Sequence, residues 1–206
     1  MSPAFLFVDD HLVVLDKPAG LLSVPGRGAD KQECAARHAQ QRFADALIVH
    51  RLDMATSGLL LMARGADMQR RLSIAFATRA VAKRYVAVVH GLVQADSGEI
   101  DLPLAADWPR RPRQKVDPVD GKPSLTRYRC LAHDAVARTT RLLLEPVTGR
   151  SHQLRVHLAA VGHAIVGDTL YGGETPAPRL MLHASELSLS HPASGDNLRL
   201  TSAPPF

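Results

Sequence analysis

Asp53 is the residue whose setting in this sequence best suits chemistry. It closes the stretch His50-Arg51-Leu52-Asp53, after the apolar pair Ile48-Val49 and just before Thr56-Ser57-Gly58, which reads as a turn. A carboxylate at a strand end, beside a tight turn, can face a cleft. It can act there as nucleophile or base if a neighbouring cation keeps it ionised. The same spacing suits an Asp that only caps the turn, so local spacing leaves both readings open. A second group is Arg150-Ser151-His152-Gln153-Leu154-Arg155-Val156-His157. Leu154, Leu158 and Val161 form an apolar stripe at helical spacing, with Ser151 expected as N-cap and Gly162 as the stop. Arg155 falls off that stripe, either at the edge of a cleft or on a solvated basic face. Tyr85, in Lys83-Arg84-Tyr85, is a core ring or a surface on which a flipped base stacks. The fourth group is Trp108 with Arg110, Arg111, Arg113 and Lys115. Basic side chains plus one indole suit phosphate contact and base stacking, or else form an exposed polar loop.

Rival chemistries fit less well. His152, His157 and His163 are spaced by five and six residues, whereas zinc-binding helices set two histidines about four apart. Gly26-Arg27-Gly28 lacks the rest of a phosphate-binding loop, and Gly-x-Ser-x-Gly is absent. Two cysteines, Cys34 and Cys130, make neither a Cys-rich zinc site nor a disulfide framework. The net charge of +5 over 206 residues favours an anionic partner, nucleic acid before an anionic membrane surface. The start, Met-Ser-Pro-Ala, is not a signal peptide, and no apolar run approaches the roughly 20 residues of a membrane span. A reducing cytoplasm is the expected setting.

The elements that must position these residues follow from periodicity. Strands are predicted at 5–8, 12–15, 59–63, 83–90, 126–131, 141–144 and, as the last, 180–189. Helices are predicted at 30–43, rich in Ala, Gln, Glu and Arg, and at 67–78, where Met68, Leu72 and Phe76 recur every four residues. Pro109 and Pro112 predict a loop through Lys115. Strands outnumber helices and long helical crossovers are scarce. The expected class is therefore α+β, a mixed and largely antiparallel sheet flanked by helices and loops.

The order of the motifs adds what no single motif decides. Lys17-Pro18-Ala19-Gly20, then His50-Arg51-Leu52-Asp53-Met54-Ala55-Thr56-Ser57-Gly58, then Lys83-Arg84-Tyr85 are followed by Gly149 to His157, Gly167-Asp168 and Leu182-His183-Ala184. Taken together they resemble the signature of the RluA family of RNA pseudouridine synthases. The resemblance covers nearly the whole chain. Leu22-Ser23-Val24-Pro25-Gly26-Arg27 and Asp107-Trp108-Pro109 with Pro112 are most similar to the member after which the family is named. The resemblance implies one catalytic domain over 1–206, without the N-terminal S4-type domain of many relatives, and neither metal nor organic cofactor. It implies Asp53 as the catalytic aspartate, Tyr85 as the ring stacking on the target uracil and aiding proton removal, and Arg155 as the cation paired with the aspartate. Arg51 would fill the gap left by the flipped base, with His50 near the RNA; Arg150 and the cations 110, 111, 113 and 115 would also bind RNA. The implied substrates are stem-loop uridines of tRNA (the anticodon stem-loop) and of large-subunit rRNA, and the expected enzyme is a monomer.

Overall fold

An Asp turn starts the fold. One carboxylate oxygen of Asp9 accepts the backbone N–H of both His11 and Leu12 at 2.7 Å. This closes an antiparallel hairpin of β1 (Ala4–Val8) and β2 (Leu12–Lys17). The computed structural model describes residues 2–172 and 177–206. They form two compact units, one built from the chain up to Lys83 with His183–Pro205, the other from Arg84–Leu182 with Phe206.

In the first unit β2 is buried at every position but Asp16, the pattern of a strand covered on both faces. The predicted helix at 30–43 is shorter. Ala29–Lys31 is a single 3-10 turn, Cys34 is extended, and the helix proper is α1 (Ala35–Arg42). The reason is tertiary. Leu22 bridges Cys34, and the carbonyls of Leu22 and Ser23 accept the Ala35 and Ala36 amides at 2.8 and 3.1 Å, so backbone pairing overrides helix propensity upstream. The short β3 (Ala46–Ile48) then pairs with β4 (Ser57–Arg64), whose first seven residues are all buried and which also pairs antiparallel with β2. Ser57-Gly58 therefore opens a strand. The turn lies just before, where the Thr56 N–H reaches the Asp53 carbonyl at 3.1 Å. The helix predicted at 67–78 is present as α2 (Ala66–Ala77); it packs on β4, with Leu72 buried.

The second unit is an antiparallel sheet in the order β5, β10, β9, β6: β5 (Ala82–His90), β6 (Ser97–Asp101), β9 (Leu125–Asp134) and β10 (Thr139–Pro146). A separate two-stranded hairpin joins β7 (Leu104–Ala106) to β8 (Gln114–Val116). Gln114 and Lys115 were expected in a loop. The prolines are confined to the hairpin tip, and past them the amides are free to pair. The helix α3 (Gln153–Ala160) corrects three expectations. Its N-cap is His152, in a left-handed conformation with φ 53°, not Ser151. No side chain caps the helix; the Gln153 Oε1 instead reaches back into the preceding loop and takes the Arg150 amide at 3.0 Å. Residues 153–158 are all buried, Arg155 and His157 included, whereas Val161 is exposed. A short helix wedged against β8, β9 and β10 has no solvated face in its middle, so a one-sided stripe underestimates its burial.

The chain then returns to the first unit through β11 (Leu182–Ser190), parallel to β4 at His183↔Ser57 and Ala184↔Gly58, and ends on β12 (Asn197–Thr201), antiparallel to β11. The strand predicted as the last is thus followed by another. A buried polar chain ties this junction: Ser57 Oγ to His183 Nδ1 at 2.8 Å, His183 Nε2 to Ser202 Oγ at 3.0 Å, and Ser202 Oγ to Asp16 Oδ2 at 3.0 Å. A carboxylate oxygen can only accept from Ser202, so the proton order runs from Ser57 towards Asp16, with the His183 proton on Nε2. Among the described residues the fold is thus a mixed, mostly antiparallel β arrangement with three α-helices, and no helix is long and apolar enough to cross a membrane.

Gly58 marks the tightest point of the β4–β11 pairing. Its φ is +108°, and a Cβ there would lie 2.3 Å from the Ala184 carbonyl oxygen. Gly58→Ala is expected to lose roughly 2–5 kcal/mol of stability, combining backbone strain with overpacking. Urea unfolding checks this, and an unchanged midpoint would contradict the close pairing.

Candidate active site

In the first unit the loop carrying Asp53 is pinned on both sides of that residue. Leu52 is held through both backbone groups by Ser23: its carbonyl accepts from Oγ at 2.8 Å and its amide donates to Oγ at 3.0 Å. On the other side the Met54 carbonyl accepts from the Gly20 amide at 2.8 Å and from Lys17 Nζ at 3.1 Å. Lys17 is fully buried and also donates to the carbonyls of Leu21, at 2.7 Å, and Pro18, at 3.1 Å. Asp53 itself is half-buried between these two clamps. Neither Lys17 nor Ser23 was singled out by sequence reasoning as a support. The one signal was the motif Lys17-Pro18-Ala19-Gly20, a charge at the end of an apolar strand.

His50 enters the loop as a ring that continues a strand ladder. After Ala46, Leu47 and Ile48 have paired with β4, the Leu61 amide donates to His50 Nε2 at 2.9 Å. The ring stacks on Phe76 with centroids 4.5 Å apart. Desolvation, helped by the nearby Lys83 ammonium, pushes the His50 pKa down to about 3. The ring is therefore neutral at physiological pH. Arg51, the next residue, is exposed.

The second unit holds the other residues in question. Tyr85 is half-buried on β5 opposite Leu144 of β10. Arg155 is buried and forms a two-pronged ion pair with Asp168, Nε to Oδ2 and Nη2 to Oδ1, each 2.8 Å. Asp168 Oδ1 also accepts the amides of Leu170 and Tyr171, at 2.9 and 3.1 Å. A fork-on-fork pair fixes the plane of the guanidinium as well as its position. Tyr171 completes the cluster. The Arg155 and Arg113 guanidinium carbons each lie 5.3 Å from its ring centroid. Its hydroxyl accepts the Gln114 amide at 2.7 Å and bonds His152 Nδ1 at 2.8 Å. Burial raises the Tyr171 pKa above its ordinary value. Sequence reading quoted Gly167-Asp168 only as part of a motif, and it missed Tyr171.

The remaining cations are placed individually. Arg110 pairs with Asp107 at 2.7 Å, and Lys115 with Asp117 at 2.8 Å. Arg150 is exposed, its Nε 3.3 Å from the Pro123 carbonyl. Of the histidines weighed as zinc ligands, His157 spends both ring nitrogens on Thr126 Oγ1 (3.0 Å) and the Leu102 carbonyl (2.9 Å), and His163 Nδ1 bonds the His90 carbonyl. Among the described residues no three His, Cys, Asp or Glu side chains form a metal-binding group.

Comparison with known proteins bears on what this arrangement does. The family model described as RNA pseudouridylate synthase matches residues 11–160. The chain is 46% identical over 196 residues to the dual-specificity RNA pseudouridine synthase RluA of Escherichia coli (strain K12), covering 94% of this chain and 89% of that protein. It is 48% identical over 195 residues to the protein of the same name from Vibrio parahaemolyticus, covering 92% and 78%. Among solved structures it is similar to human RNA pseudouridylate synthase domain containing 1, with a TM-score of 0.83 and 28% identity, covering 100% of this chain and 84% of that one.

Two measurements test the local geometry. The neutral His50 ring is favoured only in the folded state, so its contribution is complete above pH 6.5 and is lost as the pH falls from 6.5 towards about 3. His50→Gln should flatten part of the fall in urea midpoint over that range; an unaltered slope would show that His50 is not protected. Tyr171→Phe keeps the ring but leaves the Gln114 amide without its acceptor. It should cost about 1–3 kcal/mol of stability, and a wild-type midpoint would remove the hydroxyl from the support of this cluster.

Proposed function

The chain belongs to the RluA family of RNA pseudouridylate synthases and isomerises uridine in RNA to pseudouridine; we propose that Asp53, Tyr85 and Arg155 carry that chemistry. The reaction breaks the C–N glycosidic bond, turns the uracil and joins its C5 to C1′ of the ribose. The C5 proton is then lost and a proton returns to nitrogen. Atoms and electrons balance within the nucleoside, so the protein has to supply only a nucleophile or base, a cation and a surface for the base. Asp53 is the nucleophile at the sugar, or the base that opens a route through a glycal. Arg155, oriented by Asp168, is the cation of the set. Tyr85 stacks on the uracil and aids removal of the C5 proton.

The observation that carries this reading is the double clamp on Leu52 and Met54. It leaves Asp53 the one residue between two fixed ones, which suits a group that must meet a reacting atom in one position. A stacked base is out of reach, and extruding it costs a few kcal/mol. Arg51 offsets part of that cost by filling the gap, with His50 beside it shaping the approach. Arg150 and the basic residues of the 104–116 hairpin contact RNA. The substrates we propose are a uridine in the anticodon stem-loop of tRNA and one in a stem-loop of large-subunit rRNA. They are supported by 46–48% identity to enzymes named as dual-specificity. The enzyme works as a monomer in the cytoplasm, where Cys34 and Cys130 stay as thiols.

Asp53→Asn is expected to lower pseudouridine formation by about 100-fold or more with RNA affinity retained. Arg155→Ala is expected to cripple the same step. Tritium release from C5-labelled RNA measures the reaction and filter binding the affinity. Turnover near wild type in Asp53→Asn would overturn the mechanism, and in Arg155→Ala the role of the cation. Mapping pseudouridine in total RNA from cells with and without the gene identifies the substrates.

A further inference from the structure

The hairpin of β7 and β8 was read from sequence as one basic patch, but its four cations have different fates. Arg110 is neutralised by Asp107 and Lys115 by Asp117, and Arg113 lies over the Tyr171 ring. Arg111 is different. Its guanidinium carbon lies 3.7 Å from the centroid of the Trp108 ring. Trp108 is the chain's one tryptophan, and it is 64% exposed with that guanidinium against it.

The tip is built to hold this pair in place. The Asp107 amide bonds the Arg113 carbonyl at 2.9 Å, the Arg110 amide the Asp107 carbonyl at 3.0 Å, and the Arg113 amide the Arg110 carbonyl at 3.0 Å. The Gln114 amide anchors the base of the tip on Tyr171. A phosphate clamp needs cations that are not already spent on carboxylates, and two of these four are. An indole held in solvent on a braced turn, with a guanidinium against it, is instead what an unstacked base binds. Every nucleobase has a π-face, and a neighbouring Arg adds to the attraction.

We propose that Trp108 and Arg111 form a stacking platform for an unpaired nucleobase in the loop of the substrate RNA, so that the hairpin reads single-strandedness as well as charge. The proposal rests on the RNA-modifying reading above and adds to it the feature by which a stem-loop is told from a duplex.

The lone tryptophan makes the test direct. A fluorophore-labelled RNA stem-loop and a blunt RNA duplex of equal length are titrated against the intact protein. Anisotropy reports occupancy and Trp108 emission reports stacking. The stem-loop is expected to quench Trp108 at matched occupancy and the duplex to leave it unchanged. Trp108→Ala should weaken stem-loop binding about 10-fold without weakening duplex binding, and Trp108→Phe should restore most of the loss. Trp108 is at the surface, and a circular-dichroism melt confirms that the variants fold. Stem-loop binding with unchanged emission, equal quenching by the duplex, or full affinity in Trp108→Ala would overturn the platform. Tritium release run in parallel separates the two readings. Quenching without isomerisation would sink the catalytic assignment and leave the platform standing, and isomerisation without quenching would do the reverse.

Discussion

Three backbone carbonyls, those of Pro18, Leu21 and Met54, converge on the ammonium of Lys17, which no solvent reaches. A buried ammonium is tolerated only when its donors are used, and here their use joins two distant loops. One of them ends at Met54, next to Asp53. The Gly20 amide reinforces the same carbonyl, and Ser23 holds the residue on the other side. The position of the carboxylate in the first unit is thus set through its neighbours' backbones.

The second unit solves a matching problem with the opposite charge. Arg155 is buried, and Asp168 both balances it and fixes its plane. Buried ion pairs contribute little net stability unless their remaining valences are met. Asp168 meets them by accepting two loop amides, and Tyr171 adds its ring. The outcome is orientation more than stability. The same Tyr171 hydroxyl holds the base of the hairpin that carries Trp108, so one side chain braces both a candidate catalytic cation and a candidate RNA contact.

Where sequence and structure part, the cause lies in long-range contact. Ser151 has the right side chain for an N-cap, yet the helix begins one residue later because Gln153 reaches back to the Arg150 amide while also bonding Leu125 and Thr126. Arg155 is off an apolar stripe that proved to be only part of the buried surface of its helix. Gln114 and Lys115 are strand residues because Leu104–Ala106 lies opposite them. Each case turns on a partner that is remote in the sequence and leaves no trace in its periodicity.

From the sequence alone came the α+β class, the place of most strands, the family, and Asp53 and Tyr85 as residues of interest. Those readings rest on alternation, on turn residues and on motif order, all of which are local or ordered along the chain. Only the tertiary structure decided what holds these residues: Lys17 on Met54, Ser23 on Leu52, Asp168 on Arg155 and Tyr171 on Gln114. It also divided the basic hairpin into cations already paired and one laid against an exposed indole. A hydrogen bond between loops has no period, and the ionic partner of an arginine is set by where the chain returns. Such contacts exist only once the chain is folded.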